Sequence, residues 1–200
     1  IAGRIQDEMQ GLNDQLRNYI ISIIVIFSLL AIPLKSYAQA AMIIVVIPFG
    51  VIGSVLGHLI LGLDLNGLSV MGILAASGVV VNDSLVMVDY VNNARKSGVR
   101  LKDAVMHAGS KRFRAILLTS ITTFIGLAPI MFFETSLQAQ FVIPMAVSLG
   151  FGVLFATLVT LILIPSLYLI IEDLRKIFMR MITAIVGQKV DSTNVSEYGR

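Results

Sequence analysis

The sequence predicts an all-α membrane protein, a bundle of five transmembrane helices. Of the 200 residues, 56% are hydrophobic and only 14% are charged, and the mean hydropathy is +0.89. Five apolar stretches are long enough to cross a bilayer, which takes about 20 residues per helix. These stretches lack the polar face that a surface helix of a globular protein shows. A soluble helical domain is therefore disfavoured.

Five spans follow from these stretches. They are predicted at 18–34, 38–62, 66–91, 113–133 and 140–171. Lys and Arg concentrate between 92 and 114 and in the tail beyond 171, whereas the connections near Asp64 and Glu134 contain neither. The positive-inside rule then places the basic segments in the cytoplasm and the other two connections on the opposite side of the membrane.

Three segments flank the spans. Apolar residues at helical spacing predict an amphipathic helix over 1–17, on the periplasmic surface. A cytoplasmic interfacial helix is predicted within 92–112, with a solvated linker as the alternative. Its apolar stripe consists of Leu101, Val105 and Ala108. The tail 172–200 is expected to be cytoplasmic and, because it turns polar and aperiodic, disordered after about residue 187.

The composition excludes several classes of site. The chain has no cysteine, so it offers neither a disulfide nor a thiolate metal site, and His58 and His107 are too far apart for a helical ligand pair. We therefore expect no metal and no cofactor. The net charge is only +3, and its basic clusters adjoin apolar segments without interleaved aromatics, which favours a membrane surface over nucleic acid. The start, without Met or signal peptide, indicates an internal piece of a longer polypeptide.

One acidic residue lies well inside the third span. The stretch "GVVVNDSLVMVDY", residues 78–90, contains Asp83, and no Lys or Arg occurs between Ser36 and Ala94. A charged Asp at the centre of a spanning helix costs about 2.5 to 3.5 kcal/mol. Such residues usually face a bundle interior or a wet cavity and serve an ion path. Asp83 is therefore the main candidate for a functional site.

Neighbouring polar residues extend this candidate site. At about 1.5 Å rise per residue, Thr119 on the next, antiparallel span lies near the depth of Asn82 and Asp83, so the two sites could meet. Two helix faces carry the remaining candidates. The first carries Gly78, Asn82 and Asp89, and the second carries Arg112, Thr119, Thr123 and Gly126. The alternatives are helix packing for the Thr and Gly residues and interfacial anchoring for Asp89 and Arg112.

Four segments together resemble a known family. They are "IPFGVIGSVLG", "GVVVNDSLVMVDYVN", "RFRAILLTSITTFIGLAPIMF" and "FVIPMAVSLGFGVLFATLVTLILIPSLY". The chain from 10 to 172 is similar to the resistance-nodulation-division (RND) exporters. Within them it resembles the C-terminal membrane half of the hydrophobe and amphiphile efflux branch, the AcrB/AcrD/AcrF-like multidrug transporters.

The resemblance implies an architecture and partners. The five spans would be the last five of a twelve-helix protomer that acts as a homotrimer in the inner membrane of a Gram-negative bacterium. The N-terminal half and the porter domain would belong to the same polypeptide. A periplasmic adaptor, an outer-membrane channel and membrane lipids would be the other partners.

The resemblance also implies a proton relay of Asp83, Asn82, Thr119 and Arg112, with Asp89, Thr123, Gly78 and Gly126 as possible supporting residues. One position departs from the family pattern. Where well-known drug exporters have a lysine, this chain has Asn82, and where they have an asparagine it has Asp83. Either Asp83 joins the proton-binding group, with Arg112 or water balancing its charge, or the coupling ion is another cation.

The sequence favours a proton-driven exporter of amphiphilic small molecules or drugs over other functions. An intramembrane hydrolase needs a nucleophile with a base in reach, and the sequence shows no G-x-S-x-G motif and no paired aspartates. We therefore predict a secondary active transporter and not an enzyme. The alternatives are an accessory or structural membrane subunit, and a relative that exports lipid or metal or uses another coupling cation.

Overall fold

The computed structural model describes residues 2–197, with side chains for 10, 11, 13–177, 179 and 181. Throughout this part of the chain the regular structure is helical. The helices are α1 (Ala2–Leu34), α2 (Tyr37–Ile44), α3 (Ile47–Leu61), α4 (Gly67–Lys96), α5 (Leu101–Phe132) and α6 (Leu137–Glu197). Five segments are long and apolar enough to cross a membrane, and α2 and α3 together form the second. The predicted fold class, an all-α transmembrane bundle, is confirmed.

Helix α6 organises the bundle. It packs against α2, α3, α4 and α5, whereas α1 packs against α2 and α4 at the edge. Close approach of α3 to α6 depends on glycine, because a Cβ on Gly53 would lie 2.7 Å from the carbonyl oxygen of Phe151. The main hydrophobic core is therefore formed where α4 and α6 meet the other helices.

The second span is broken between α2 and α3. Pro48 stands in the first turn of α3, and it has no backbone N–H to donate to the preceding turn. The backbone tightens there instead, with Val46 N donating to the carbonyl of Ile43 at 3.2 Å and Phe49 N to that of Val46 at 3.1 Å. The expected single helix over 38–62 is therefore two helices.

The connections at the end opposite Lys96 are short and capped. Gly62 ends α3 in the left-handed conformation, with φ of +65°, and Asn66 begins α4 with a capping box completed by Ser69. In the connection before α6, the backbone N–H groups of Ser136 and Thr135 donate to the Glu134 carboxylate. These hydrogen bonds lower the pKa of Glu134.

The flanking segments differ from the sequence-based expectation. Helix α1 runs without a break from Ala2 to Leu34, so the amphipathic segment 1–17 and the first span form one helix. Helix α5 likewise unites the expected interfacial helix with the fourth span. Each added residue of a helix gains a backbone hydrogen bond, and no proline separates these segments. Helix α6 continues to Glu197, where disorder was expected after about residue 187.

The apolar stripe of the expected interfacial helix faces protein. Ala104, Val105 and Ala108 are buried in the main core, and Leu101 packs against it. The start of α5 is therefore part of the bundle rather than a helix lying on the membrane surface.

A buried histidine joins α3 to the start of α4. His58 Nδ1 lies 2.9 Å from the carbonyl oxygen of Ser54, and Nε2 lies 2.9 Å from Ser69 Oγ. A carbonyl can only accept, which assigns the proton to Nδ1. Ser69 Oγ is the partner of Nε2, so both ring nitrogens have a hydrogen-bond partner.

We expect His58→Ala to lower the thermal stability of the protein. The change leaves the Ser54 carbonyl and the Ser69 hydroxyl without this partner and opens a cavity, at a cost of about 3 kcal/mol. Thermal unfolding in detergent measures it. The matched control is His107→Ala, since His107 is exposed and such changes stay within about 0.5 kcal/mol. Equal melting temperatures for the two variants would contradict a structural role for His58.

Candidate functional site

Asp83 lies inside the bundle, on the buried face of α4. Its side chain is 8% exposed, and Val80 and Met87, three residues before and four after, belong to the main core. Its Oδ2 atom is enclosed and has no hydrogen-bond partner. Among the described residues, no ion pair reaches it either. Asp83 is therefore a carboxyl group held in the bundle interior without a donor.

The register of α4 against α6 gives the depth of Asp83. A Cβ on Gly72 would meet the backbone carbonyl of Met145, and a Cβ on Gly152 would lie 3.1 Å from Ala76 Cβ. Helices α4 and α6 both begin at the end of the bundle that contains the connections 62–66 and 133–136, so they run parallel. Because both helices rise by the same distance per residue, this register continues along them. Asp83 is then level with the segment 157–160 of α6.

Buried hydroxyl groups occupy this level, and we call them the hydroxyl layer. They belong to Ser84, Ser120, Thr157 and Thr160. Ser120 Oγ lies 3.1 Å from the carbonyl oxygen of Ile116, and it shares a hydrogen bond of 2.6 Å with Thr157 Oγ1. Ser84 and Thr160 donate to carbonyls of their own helices. All four hydroxyl groups therefore have hydrogen-bond partners, and in the described part of the chain none of these bonds is to Asp83.

The sequence-based interpretation missed this layer. It selected Thr119 on α5, whereas the structure buries the next residue, Ser120, and exposes Thr119. On α6 a signal does exist in the sequence, because small residues recur every fourth position. They are Ser148, Gly152, Ala156 and Thr160, and all are buried. Such a stripe indicates a face that packs against other helices, so its polar residues are expected to lie in the interior of the bundle.

The face of α4 with Asn82 turns away from Asp83. Gly78, Asn82 and Asp89 are exposed, and a Cβ added to Gly78 would meet nothing within 4 Å. Asp89 accepts a hydrogen bond from Asn93 Nδ2 at 3.0 Å. The two neighbours Asn82 and Asp83 therefore do not open into one space within this chain.

The predicted polar stripe of α5 lies mostly on the outside. Thr119 and Gly126 are exposed and Thr123 is half-buried. The hydroxyl of Thr119 donates to the carbonyl of Ala115, and that of Thr123 to the carbonyl of Thr119, each at 2.9 Å. No hydrogen bond joins this stripe to Asn82 in the described part of the chain.

Arg112 contacts α4 through an aromatic ring. Its guanidinium carbon lies 5.6 Å from the ring centroid of Tyr90, a distance at which a cation is attracted to the ring face. Its Nε atom is enclosed without a partner. Neither Asp83 nor Asp89 forms an ion pair with Arg112 in the residues described. Tyr90 is a further residue of this region that sequence analysis did not select.

Comparison with known proteins identifies the family of this chain. The sequence model of the AcrB/AcrD/AcrF family matches residues 1–172. The chain belongs to this family. Membership of the AcrB/AcrD/AcrF family confirms the resemblance to RND transporters, whose members carry out transport.

Two solved structures share the fold of this family member. A heavy metal efflux pump in one crystal form is 28% identical, with a TM-score of 0.66 over 76% of this chain. Another crystal form of a heavy metal efflux pump is 26% identical, with a TM-score of 0.75 over 84% of this chain. The chain spans 15% and 16% of the lengths of those proteins. In the described residues, no three His, Asp or Glu side chains are grouped to hold a metal ion.

Proposed function

We propose that this chain is the C-terminal half of the membrane domain of a proton-driven efflux transporter, in which Asp83 binds and releases the coupling proton. The observation that carries the proposal is the buried carboxyl group of Asp83, whose Oδ2 atom is enclosed and has no hydrogen-bond donor among the described residues. Family membership supports the transport function.

A carboxyl group in this position responds strongly to protonation. Its charged form is costly inside a bundle unless a donor or a cation compensates it, and its neutral form costs much less. Binding one proton therefore changes the stability of the local helix packing. A proton that crosses 100 mV supplies about 2.3 kcal/mol from the electrical component alone. Cycles of protonation at Asp83 could thus drive a change of packing.

The exposed face of α4 and α5 supports a larger assembly. It combines Gly78 and Asn82 with Thr119 and Gly126, all exposed near the middle of two spans. An amide directed at hydrocarbon lacks hydrogen-bond partners, whereas small and polar residues are typical of helix–helix contacts in membranes. We propose that the N-terminal half of the same polypeptide covers this face. Asn82, Thr119 and Arg112 would then serve the relay from the side of that contact.

The distribution of charge supports an inner-membrane location. Lys35, Arg95 and Arg175 all line one cavity and so mark one end of the bundle, whereas the connections 62–66 and 133–136 at the other end contain Asp64 and Glu134 but no Lys or Arg. The positive-inside rule supports a cytoplasmic basic end. A homotrimer with a periplasmic adaptor and an outer-membrane channel is proposed from the family alone.

The substrate class has two candidates. Amphiphilic small molecules follow from the branch that the sequence resembles, and metal ions are favoured by the two structural neighbours, both heavy metal efflux pumps. We place amphiphiles first, because the motifs of the chain match that branch, and the described residues offer no metal-binding group.

Reconstitution in liposomes tests the proposed function. We expect the complete polypeptide to extrude a fluorescent amphiphilic cation when an inward proton gradient is imposed, and to stop when an ionophore collapses the gradient. The 200-residue chain alone should be inactive, because alternating access requires one half to move against the other. Transport of a heavy metal ion but of no amphiphile would select the second substrate class. Equal transport with and without the proton gradient would exclude proton coupling.

A further inference from the structure

A basic cavity opens at one end of the bundle, where α1 ends and α2 begins. It has a volume of about 450 Å³ and adjoins a second cavity of about 390 Å³ that shares part of its wall. The shared wall contains Lys35, Gln39, Arg95 and Tyr168. We refer to the two together as the basic cavity.

Hydrogen bonds fix the floor of the basic cavity. Gln39 and Asn92 exchange two hydrogen bonds between their amide groups, at 3.0 and 2.9 Å. The hydroxyl of Tyr168 donates to Asn92 Oδ1 at 2.7 Å and accepts from Gln39 Nε2 at 3.1 Å. These side chains come from α2, α4 and α6. The site is therefore held by three helices and does not depend on a loose loop.

The walls carry an excess of positive charge. Four basic side chains line the basic cavity, against two acidic ones. Glu172 is engaged by Arg95, at 3.2 and 3.4 Å, and Asp89 accepts from Asn93. No ion pair engages Lys35, Lys96 or Arg175 in the described part of the chain. These three charges remain available to an anion.

The backbone directs Lys35 and the α2 N-terminus to the same opening. Lys35 has a φ of +49°, an uncommon conformation for a residue with a side chain. Ser36, the N-cap of α2, accepts from Gln39 N at 3.3 Å, and Ser36 and Ala38 line the basic cavity. The positive end of the α2 dipole therefore adds to the field of the basic side chains.

An apolar groove begins at the same turn. It is bounded by Phe27, Ala31, Ile32 and Tyr37 and has a volume of about 330 Å³. The rings of Phe27 and Tyr37 stack across it, with centroids 6.3 Å apart. The basic cavity itself has apolar walls at Leu34, Met42 and Ile171. An anion that enters here thus meets hydrocarbon surface directly beside the charges.

We propose that the basic cavity binds the phosphate group of an anionic phospholipid, with an acyl chain along the groove at Phe27 and Tyr37. Lys35 and Arg175 contact the phosphate, and Gln39 and Tyr168 hold the floor. The apolar groove next to the charges favours a lipid over free phosphate. The site requires only the membrane placement of the bundle and does not depend on its transport activity.

Lipid titration by native mass spectrometry tests the site. The sample is the complete polypeptide in detergent, and the probes are phosphatidylglycerol and phosphatidylcholine with matched chains. We expect wild type to prefer phosphatidylglycerol. The double variant Lys35→Gln/Arg175→Gln should lose roughly 25-fold in its affinity for that lipid, since each basic group near anionic lipid contributes about 1 kcal/mol, or roughly fivefold. The matched control, Lys102→Gln/Arg114→Gln, changes exposed side chains outside the cavity and should retain the preference.

Several outcomes would overturn the proposal. Equal affinity of wild type for the two lipids would exclude recognition of the anionic headgroup. Equal loss in both double variants would assign the effect to the overall basic surface. Binding of inorganic phosphate without a lipid preference would identify free phosphate as the ligand. If the double variant fails to fold, Lys35→Asn replaces it, since Asn tolerates the left-handed backbone, and unchanged lipid preference in that variant counts against the site.

Discussion

Asp83→Asn in the complete transporter is expected to reduce export to the level of empty liposomes while leaving expression and assembly near those of wild type. Asparagine keeps the size and polarity of the side chain but cannot bind or release a proton. Because Asp83 forms no hydrogen bond or ion pair among the described residues, the change removes neither kind of bond from that part of the chain. Export in proteoliposomes, normalised to protein in the membrane, measures the effect.

The matched control for this variant is Asp64→Asn. It makes the same chemical change at an exposed position in the connection between α3 and α4, away from both helix faces of the proposed relay, so export should persist. Asn82→Ala should lower export less than Asp83→Asn, since an amide orients a proton site without carrying charge. Thr119→Ala should be intermediate if its hydroxyl holds a relay water. Wild-type export by Asp83→Asn across the working pH range would make Asp83 a packing residue.

Gly72→Ala is expected to destabilise the bundle by about 1–3 kcal/mol, the usual cost of overpacking a close contact. The new Cβ would overlap the backbone carbonyl of Met145 and lie 2.7 Å from Ser148 Cβ. A backbone group cannot rotate away as a flexible side chain does, so α4 and α6 must separate. The level of Asp83 lies about three turns along the same contact, and the separation should disturb it. Thermal unfolding of the complete protein in detergent provides the measurement.

Gly109→Ala is the control for that experiment. A Cβ at Gly109 meets nothing within 4 Å, and Ala in a helix interior is favoured over Gly by about 1 kcal/mol. The two substitutions, identical in chemistry, should therefore move the melting temperature in opposite directions. A melting temperature for Gly72→Ala at or above that of wild type would show that α4 and α6 are not in the contact described.

Hydropathy and length were sufficient to predict the five spans, because the thickness of the bilayer sets the minimum length of every spanning helix. The break at Pro48 and the continuity of α1 were not evident. A run of apolar residues has the same hydropathy whether one helix or two carry it. Proline alone does not mark a break either, since Pro48 stands at one while Pro144 and Pro165 lie inside the continuous helix α6.

The rotation of each helix was the harder problem. Asn82 and Asp83 are adjacent, and α4 has so little amphipathic pattern that the sequence cannot say which one faces the core. Contacts with α6 decide it, through Gly72 and Gly152, which permit close approach on one side of α4 only. The depth of the site could thus be predicted from the rise per residue. Which residues form the site, Ser120 rather than Thr119, could not be predicted in this way.

The position of α6 in the chain sets the order in which the protein can mature. A ribosome releases α1 to α5 into the membrane before α6, yet α6 supplies the shared surface on which α2 to α5 pack. Until it arrives, the hydroxyl of Ser54 has no Ser148 carbonyl to bind, and Ser120 lacks Thr157. Nascent chains that stop before residue 137 should therefore remain substrates for membrane proteases. They should become resistant to those proteases only once α6 is present.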